Sequence, residues 1–155
     1  MFVAGGGIGA EGVDVKTLLV LLLLGSVGAP AFAQTHWFTV TGNPQDPAVN
    51  TVQVDPVAVA TSVDRRVMNV RVSRSADRVN WDGVPYRSYE SQVAFDCRAG
   101  KAEYLNAIYY LAPFWTGTSH HTTDYAASPR PMLFRDVEPN PTHRIVRAAC
   151  RTRTG

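Results

Sequence analysis

The sequence predicts a mainly β domain with a minor α part: an antiparallel sheet of about five to six strands and a short C-terminal helical segment tied to it by a disulfide. Three observations carry this. Residues 86–111 hold two strand-like runs about a short turn at Cys97-Arg98-Ala99-Gly100, the pattern of a β-hairpin. Near the C-terminus Ile145 and Ala149, and Val146 and Cys150, fall on one helical face. Cys97 and Cys150 are the two cysteines of the chain, so a single intramolecular pairing exists.

That pairing depends on export, which the N-terminus predicts. Lys16 precedes the apolar block Leu18-Leu19-Val20-Leu21-Leu22-Leu23-Leu24, and Ala31-Phe32-Ala33 places small residues two apart, as a signal peptide with cleavage after Ala33 requires. A retained membrane helix fits less well, because Gly25, Gly28 and Pro30 interrupt the run before it reaches the ~20 residues a bilayer needs. Residues before Val15 carry Glu11 and Asp14 where basic residues belong, which points to a start nearer Val13 or Val15. The expected organisation is a signal peptide over 1–33 and a single domain over 34–155. In an oxidising compartment the cysteines form a disulfide. Neither lies at the leader's end, so no lipid anchor is expected, and the mature chain should be periplasmic or secreted and soluble, with no membrane association after cleavage.

The mature part keeps 14 basic and 11 acidic residues, a mild formal charge of +3, and 13 of the 14 are arginines. A solvated mixed-charge surface accounts for this, and no nucleic-acid partner is expected.

Along the domain, residues 36–41 alternate His36, Phe38 and Val40 against Trp37, Thr39 and Thr41, giving a first strand that ends at Gly42-Asn43-Pro44. Val52 and Val54 mark a second, which Asp55-Pro56 is expected to stop. Met68, Val70 and Val72 alternate with Asn69, Arg71 and Ser73 in a half-buried third. Residues 77–83 break the pattern, with Asp82-Gly83 as a tight turn and Trp81 as a lid on the core edge. In the hairpin, Tyr89, Ser91, Val93, Phe95 and Cys97 share one face, which should be the core. The returning run is apolar on both faces and reads as one strand covered on both sides. Residues 113–128 read as an exposed loop or irregular edge strand, and 132–137 as a last strand closed by Pro139 and Pro141. Thr142 is the expected N-cap of the final helix.

The series Val52-Gln53-Val54-Asp55-Pro56, Tyr86-Arg87-Ser88 leading to Phe95-Asp96-Cys97, the strand through Tyr109, and Phe134 with Pro139 to Pro141 before Cys150 resembles the surface-adhesin protein E family. The resemblance spans roughly 37–150. It implies a curved antiparallel sheet with little helix, a role in binding host extracellular-matrix proteins, and no catalysis. Two departures stand out: no anchoring cysteine follows the leader, and Phe134 stands where the family is expected to carry tryptophan.

Candidate chemistry is sparse. His120-His121 could bind a metal or haem with a third ligand from His36, His143 or Asp124, although adjacent imidazoles on an extended chain point apart. A hydrolase would recruit Ser91 or Ser119 with a histidine and Asp96, but there is no Gly-x-Ser-x-Gly elbow. Glu90 and Asp96 would stand ~20 Å apart on a strand, too far for one dyad. Arg65, Arg66, Arg71, Arg74 and Arg78 read as a charged sheet edge in preference to a basic stripe. Trp81, Phe114 and Trp115, with the loop of His120 and His121, are the candidate partner surface. The leading expectation is a non-enzymatic, exported binding domain for a protein or glycan, with no cofactor. A periplasmic metal or haem binder and a periplasmic hydrolase are the alternatives.

Overall fold

Residues 86–97 set the centre of the sheet, as their alternation predicts. A computed structural model of the protein describes residues 37–151; the expected leader over 1–33, His36 and the tail beyond 151 lie outside them. Eight strands form one antiparallel sheet: β1 Phe38–Thr41, β2 Thr51–Thr61, β3 Arg65–Val79, β4 Pro85–Asp96, β5 Lys101–Tyr104, β6 Asn106–Tyr110, β7 His121–Asp124 and β8 Arg130–Pro131. A helix, α1 Thr142–Arg151, closes the chain. The order is β1-β2-β3-β4-β5-β8, with β6 also paired to β4 and carrying β7. Val52, Val54, Val70, Val72, Tyr89, Val93 and Phe95 are buried on the inner face with Ile145, Val146 and Ala149 of α1. Ile145 and Val146 each contribute roughly 1.5–3 kcal/mol of transfer free energy. Cys97 and Cys150 form the expected disulfide, their Cα atoms 5.6 Å apart.

The count of eight, against five to six expected, comes from short edge strands and from a run that divides. Residues 101–111 were expected to form one strand, covered on both sides. Instead the ladder breaks at Leu105: β5 pairs with the end of β4 from Val93, and β6 with its start, from Ser88 to Glu90. Asn106 causes the break. Its Oδ1 accepts from the Gln92 backbone N–H at 2.9 Å, taking the place of a ladder carbonyl. The extra residue changes the parity, so Tyr104 and then Ala107 and Tyr109 face inward, and Leu111, past the end of β6, is exposed.

Asp55-Pro56 bends β2 without ending it. The register shifts between Val54 and Ala58, and Asp55 Oδ1 accepts from Val57 N–H at 2.9 Å, so the proline occupies a bulge where no ladder donor is needed. β3 likewise outruns the expected end at Ser73. Between the pairs Ser73 with Ser88 and Arg78 with Tyr86, β3 has four residues and β4 has one. Arg87 spans this bulge, donating to the carbonyls of Arg74 at 2.7 Å and Pro47 at 3.0 Å. The Asp82-Gly83 turn forms as expected, organised by Asn80, whose Oδ1 accepts from Asp82 and Val84.

Three further expectations are corrected. Residues 132–137 are not a strand. Edge pairing ends as Met132 N–H reaches Ala102 O, and Phe134, at φ 40°, starts a turn in which its carbonyl accepts from Val137. Thr142 is not the N-cap: Asn140 Oδ1 accepts from its N–H at 2.9 Å, and Pro141 O accepts the Ile145 N–H. The arginines of β3 do not guard an edge, since β3 lies between β2 and β4.

Candidate functional site

Parity along β3 and β4 gives the sheet two differently furnished faces. Outward, the register aligns Thr39, Gln53, Arg71 and Glu90 in a row across four strands. Gln53 Nε2 donates to Thr39 Oγ1 at 2.9 Å, and Arg71 Nε donates to Gln53 Oε1 at 2.7 Å. The Arg71 guanidinium lies between two indoles, 4.2 Å from the Trp37 ring centroid and 4.1 Å from that of Trp115. Burial pushes its pKa down, with Glu90 opposing. Phe114 and Trp115 arrive through a 3-10 turn, Pro113–Trp115, whose backbone is pinned to this face. Phe114 N–H donates to Ser73 Oγ at 3.2 Å and Trp115 N–H to Ser88 Oγ at 2.9 Å. Trp115 Nε1–H also donates to Tyr89 O at 2.9 Å. Phe114 and Trp115 hold φ 55° and 58°, a left-handed region costly for aromatic residues, and these bonds hold them there.

Inward, α1 crosses from β1, where Arg144 donates to Val40 O, to the ends of β3 and β4, where Arg66 donates to Ala149 O beside the disulfide. It leaves the Tyr86 end of β4 uncovered. There a cavity of about 500 Å³ opens, with no helix residue in its walls. Its size falls in the range usual for small-molecule sites. Tyr86, Tyr89, Tyr104 and Tyr109 make the floor, Trp81 and Phe134 the sides, and Arg74, Arg78, Arg135 and Asp136 the polar wall. The rings meet at steep tilts, Tyr86 against Tyr89 at 78° and 5.5 Å and Tyr89 against Tyr104 at 77° and 5.8 Å, the edge-to-face arrangement that ring quadrupoles favour.

The phenols bond to one another. Tyr89 and Tyr104 hydroxyls are 2.6 Å apart, and those of Tyr109 and Tyr125 are 3.1 Å apart. Tyr125 donates onward to Asp82 Oδ2 at 3.0 Å, fastening the Asn80–Gly83 turn, and Trp81 packs edge-on to Tyr125 at 6.2 Å. Burial pushes the Tyr89, Tyr104 and Tyr109 phenols well above the usual tyrosine range.

Asp136 is the acid of the polar wall. Arg74 Nη2 donates to Asp136 Oδ2, and Arg78 Nε stands 3.2 Å from the same oxygen. Partial burial pushes the Asp136 carboxyl up, but the Arg74 hydrogen bond and the charges of both arginines outweigh it and hold it below the usual carboxylate range. Arg74 is 2% exposed. Arg74 Nε is buried without a hydrogen-bond acceptor, and Arg78 Nε meets Asp136 Oδ2 as an ion pair without hydrogen-bond geometry.

A family model described as surface-adhesin protein E matches residues 37–151. The chain belongs to that family. No curated protein and no solved structure matches the chain. Surface-adhesin E membership makes this an adhesin-type domain, a class typically without enzymatic activity. The family match covers both faces of the sheet and the disulfide-held helix.

On this adhesin E domain the candidate residues from the sequence fall into three places. Trp81 stands over the inner pocket and Phe114 and Trp115 lie on the outer face, so these aromatics do not form one surface. His120 and His121 flank the start of β7. His120 Nε2 is 2.7 Å from Pro85 O, and the His121 ring is 6.3 Å from that of Tyr109. Their rings are 6.4 Å apart, and among the described residues no three His, Cys, Asp or Glu side chains converge with metal-binding spacing. The sequence reading missed most of the pocket: Arg74, Arg78, Tyr86, Tyr104, Phe134 and Asp136. One signal was available. Five of the six tyrosines fall between 86 and 110, where a dry core would use leucine or phenylalanine.

Proposed function

We propose that this protein is an exported, non-enzymatic binding domain that holds a protein or glycan partner in the tyrosine and arginine pocket on the inner face of its sheet. The carrying observation is the pocket itself: about 500 Å³, walled by amphipathic rings and by three guanidinium groups against one carboxylate. Aromatic and arginine side chains are the types that dominate binding energy at interfaces. Membership of an adhesin family supports the reading, as does the export signal read over 1–33. Among the described residues no helix is long and apolar enough to cross a membrane.

The test is capture of the purified exported protein on immobilised extracellular-matrix proteins and glycans, with Trp81→Ala and Tyr86→Ala alongside. Both variants should lose at least tenfold in affinity for whatever the parent captures. Retained capture by both would remove the pocket from the reading. Cell fractionation that leaves the chain in the cytoplasm would remove export.

A further inference from the structure

We infer that the pocket takes a carboxylate-bearing pyranose, a sugar of the uronic or sialic acid class, with its acid group on Arg74, Arg78 and Arg135 and its ring against the tyrosines. This rests on the pocket being the binding surface. Three guanidinium groups line it against one carboxylate, Asp136, so the wall carries an excess of positive charge. Asp136 shows what chemistry the arginines are placed for, because a single oxygen of it is shared by Arg74 and Arg78. Its side chain is 51% exposed, so water and solutes reach the carboxylate that holds this position.

The arginines are not saturated by it. Each guanidinium carries five N–H donors and meets Asp136 through one nitrogen, the buried Arg74 through Nη2 and the half-buried Arg78 through Nε at 3.2 Å. A second carboxylate entering the wall meets the remaining donors in the planar, forked geometry that guanidinium groups favour.

The remaining walls fit a sugar ring. The C–H face of a pyranose carries slight positive charge and packs on the negative face of an aromatic ring. Trp81, 57% exposed, and the half-buried Tyr86 present such rings beside the arginines. Asn80 and the half-buried Tyr86 supply amide and phenol groups for ring hydroxyls. The cavity, about 500 Å³, has room for such a ring.

The experiment is calorimetric titration of the exported protein with D-glucuronate, N-acetylneuraminate, D-glucose and an N-acetylated amino acid. At least one acidic sugar should bind, at least tenfold tighter than glucose and than the amino acid, with affinity falling as salt rises. Arg78→Gln should weaken it at least tenfold, and Asp136→Asn, which frees both arginines, should tighten it several-fold. Arg78 is preferred to the buried Arg74 because its side chain is 37% exposed, so its replacement should spare the fold, which circular dichroism checks. Equal binding of glucuronate and glucose, tighter binding of the amino acid, or an Arg78→Gln variant that binds unchanged would overturn the inference. If the acidic sugars fail while Trp81→Ala still abolishes capture, the ligand class falls and the binding surface stands. If Trp81→Ala and Tyr86→Ala both capture normally, the two fall together.

Discussion

The hydroxyls of Tyr89 and Tyr104 meet at 2.6 Å with both residues buried, so each phenol has its polar end satisfied by the other. Replacing one by phenylalanine removes the partner and leaves the second hydroxyl unmet, at a cost of about 1–3 kcal/mol. Replacing both removes the unmet group. Tyr89→Phe and Tyr104→Phe should each lower the urea midpoint, and the double variant should recover most of the loss, a non-additivity that a double-mutant cycle reads directly.

The same burial sets an alkaline limit. Because burial raises the Tyr89, Tyr104 and Tyr109 phenols in the folded state, folding favours their protonated forms. Their contribution is complete below the unfolded value of about 10 and is lost as pH climbs towards the folded values. Tyr110, pushed up to about 12 by burial and by its hydrogen bond to Glu90, acts in the same direction. Stability should hold level from about pH 7 to 9 and fall above about pH 10, with tyrosinate absorbance rising as the chain unfolds. Asp136 has the opposite sign: its depressed carboxyl contributes above the ordinary carboxylate value and loses that contribution as pH drops through the folded one.

Reduction should weaken the fold. The Cys97–Cys150 bridge closes a 53-residue separation. On the chain-entropy account this removes about 4 kcal/mol of unfolded-state freedom. Cys97→Ser with Cys150→Ser, or the parent in reductant, should unfold at markedly lower urea, and equal midpoints with and without reductant would contradict this.

Gly42 permits no side chain. At φ 89°, a Cβ there would lie 2.3 Å from Asn50 O and 2.6 Å from Thr51 Cα, both backbone atoms that cannot swing aside. Gly42→Ala should cost at least about 1–3 kcal/mol, read as a lower thermal midpoint. Gly83→Ala, where the added carbon meets nothing, should cost less.

Arg71 should resist even conservative replacement. A guanidinium plane stacks on two indoles where an ammonium cannot. Arg71→Lys should lose roughly 1–2 kcal/mol and shift tryptophan emission, since Trp37 and Trp115 lose the cation between them.

These sites show what a sequence conveys. The alternation through Tyr89, Val93 and Phe95 and the helical spacing of Ile145 and Ala149 are local patterns, and the structure follows both. The breaks were harder to read. Asn106 interrupts a run that looks continuous because its side-chain oxygen imitates a backbone acceptor, and this shows only once Gln92 is placed beside it. Phe134 turns through a left-handed conformation that no composition rule assigns to phenylalanine. The pocket depends on both. Tyr104 and Tyr109 share its floor because of the parity change at Asn106, and Asp136 reaches Arg74 because the chain turns after Phe134. Periodicity places residues on faces; it does not say which bulge brings distant faces together.

The bulge and the clasp occupy opposite ends of β4. Tyr86 stands near its first residue and Cys97 just beyond its last, ~36 Å apart at the usual rise per residue. Arg151, next to the bridged Cys150, therefore stands at the far end of β4 from the tyrosine cavity. A chain tethered to a bead or sensor chip through its C-terminus would hold that opening outward, leaving it free to meet what flows past.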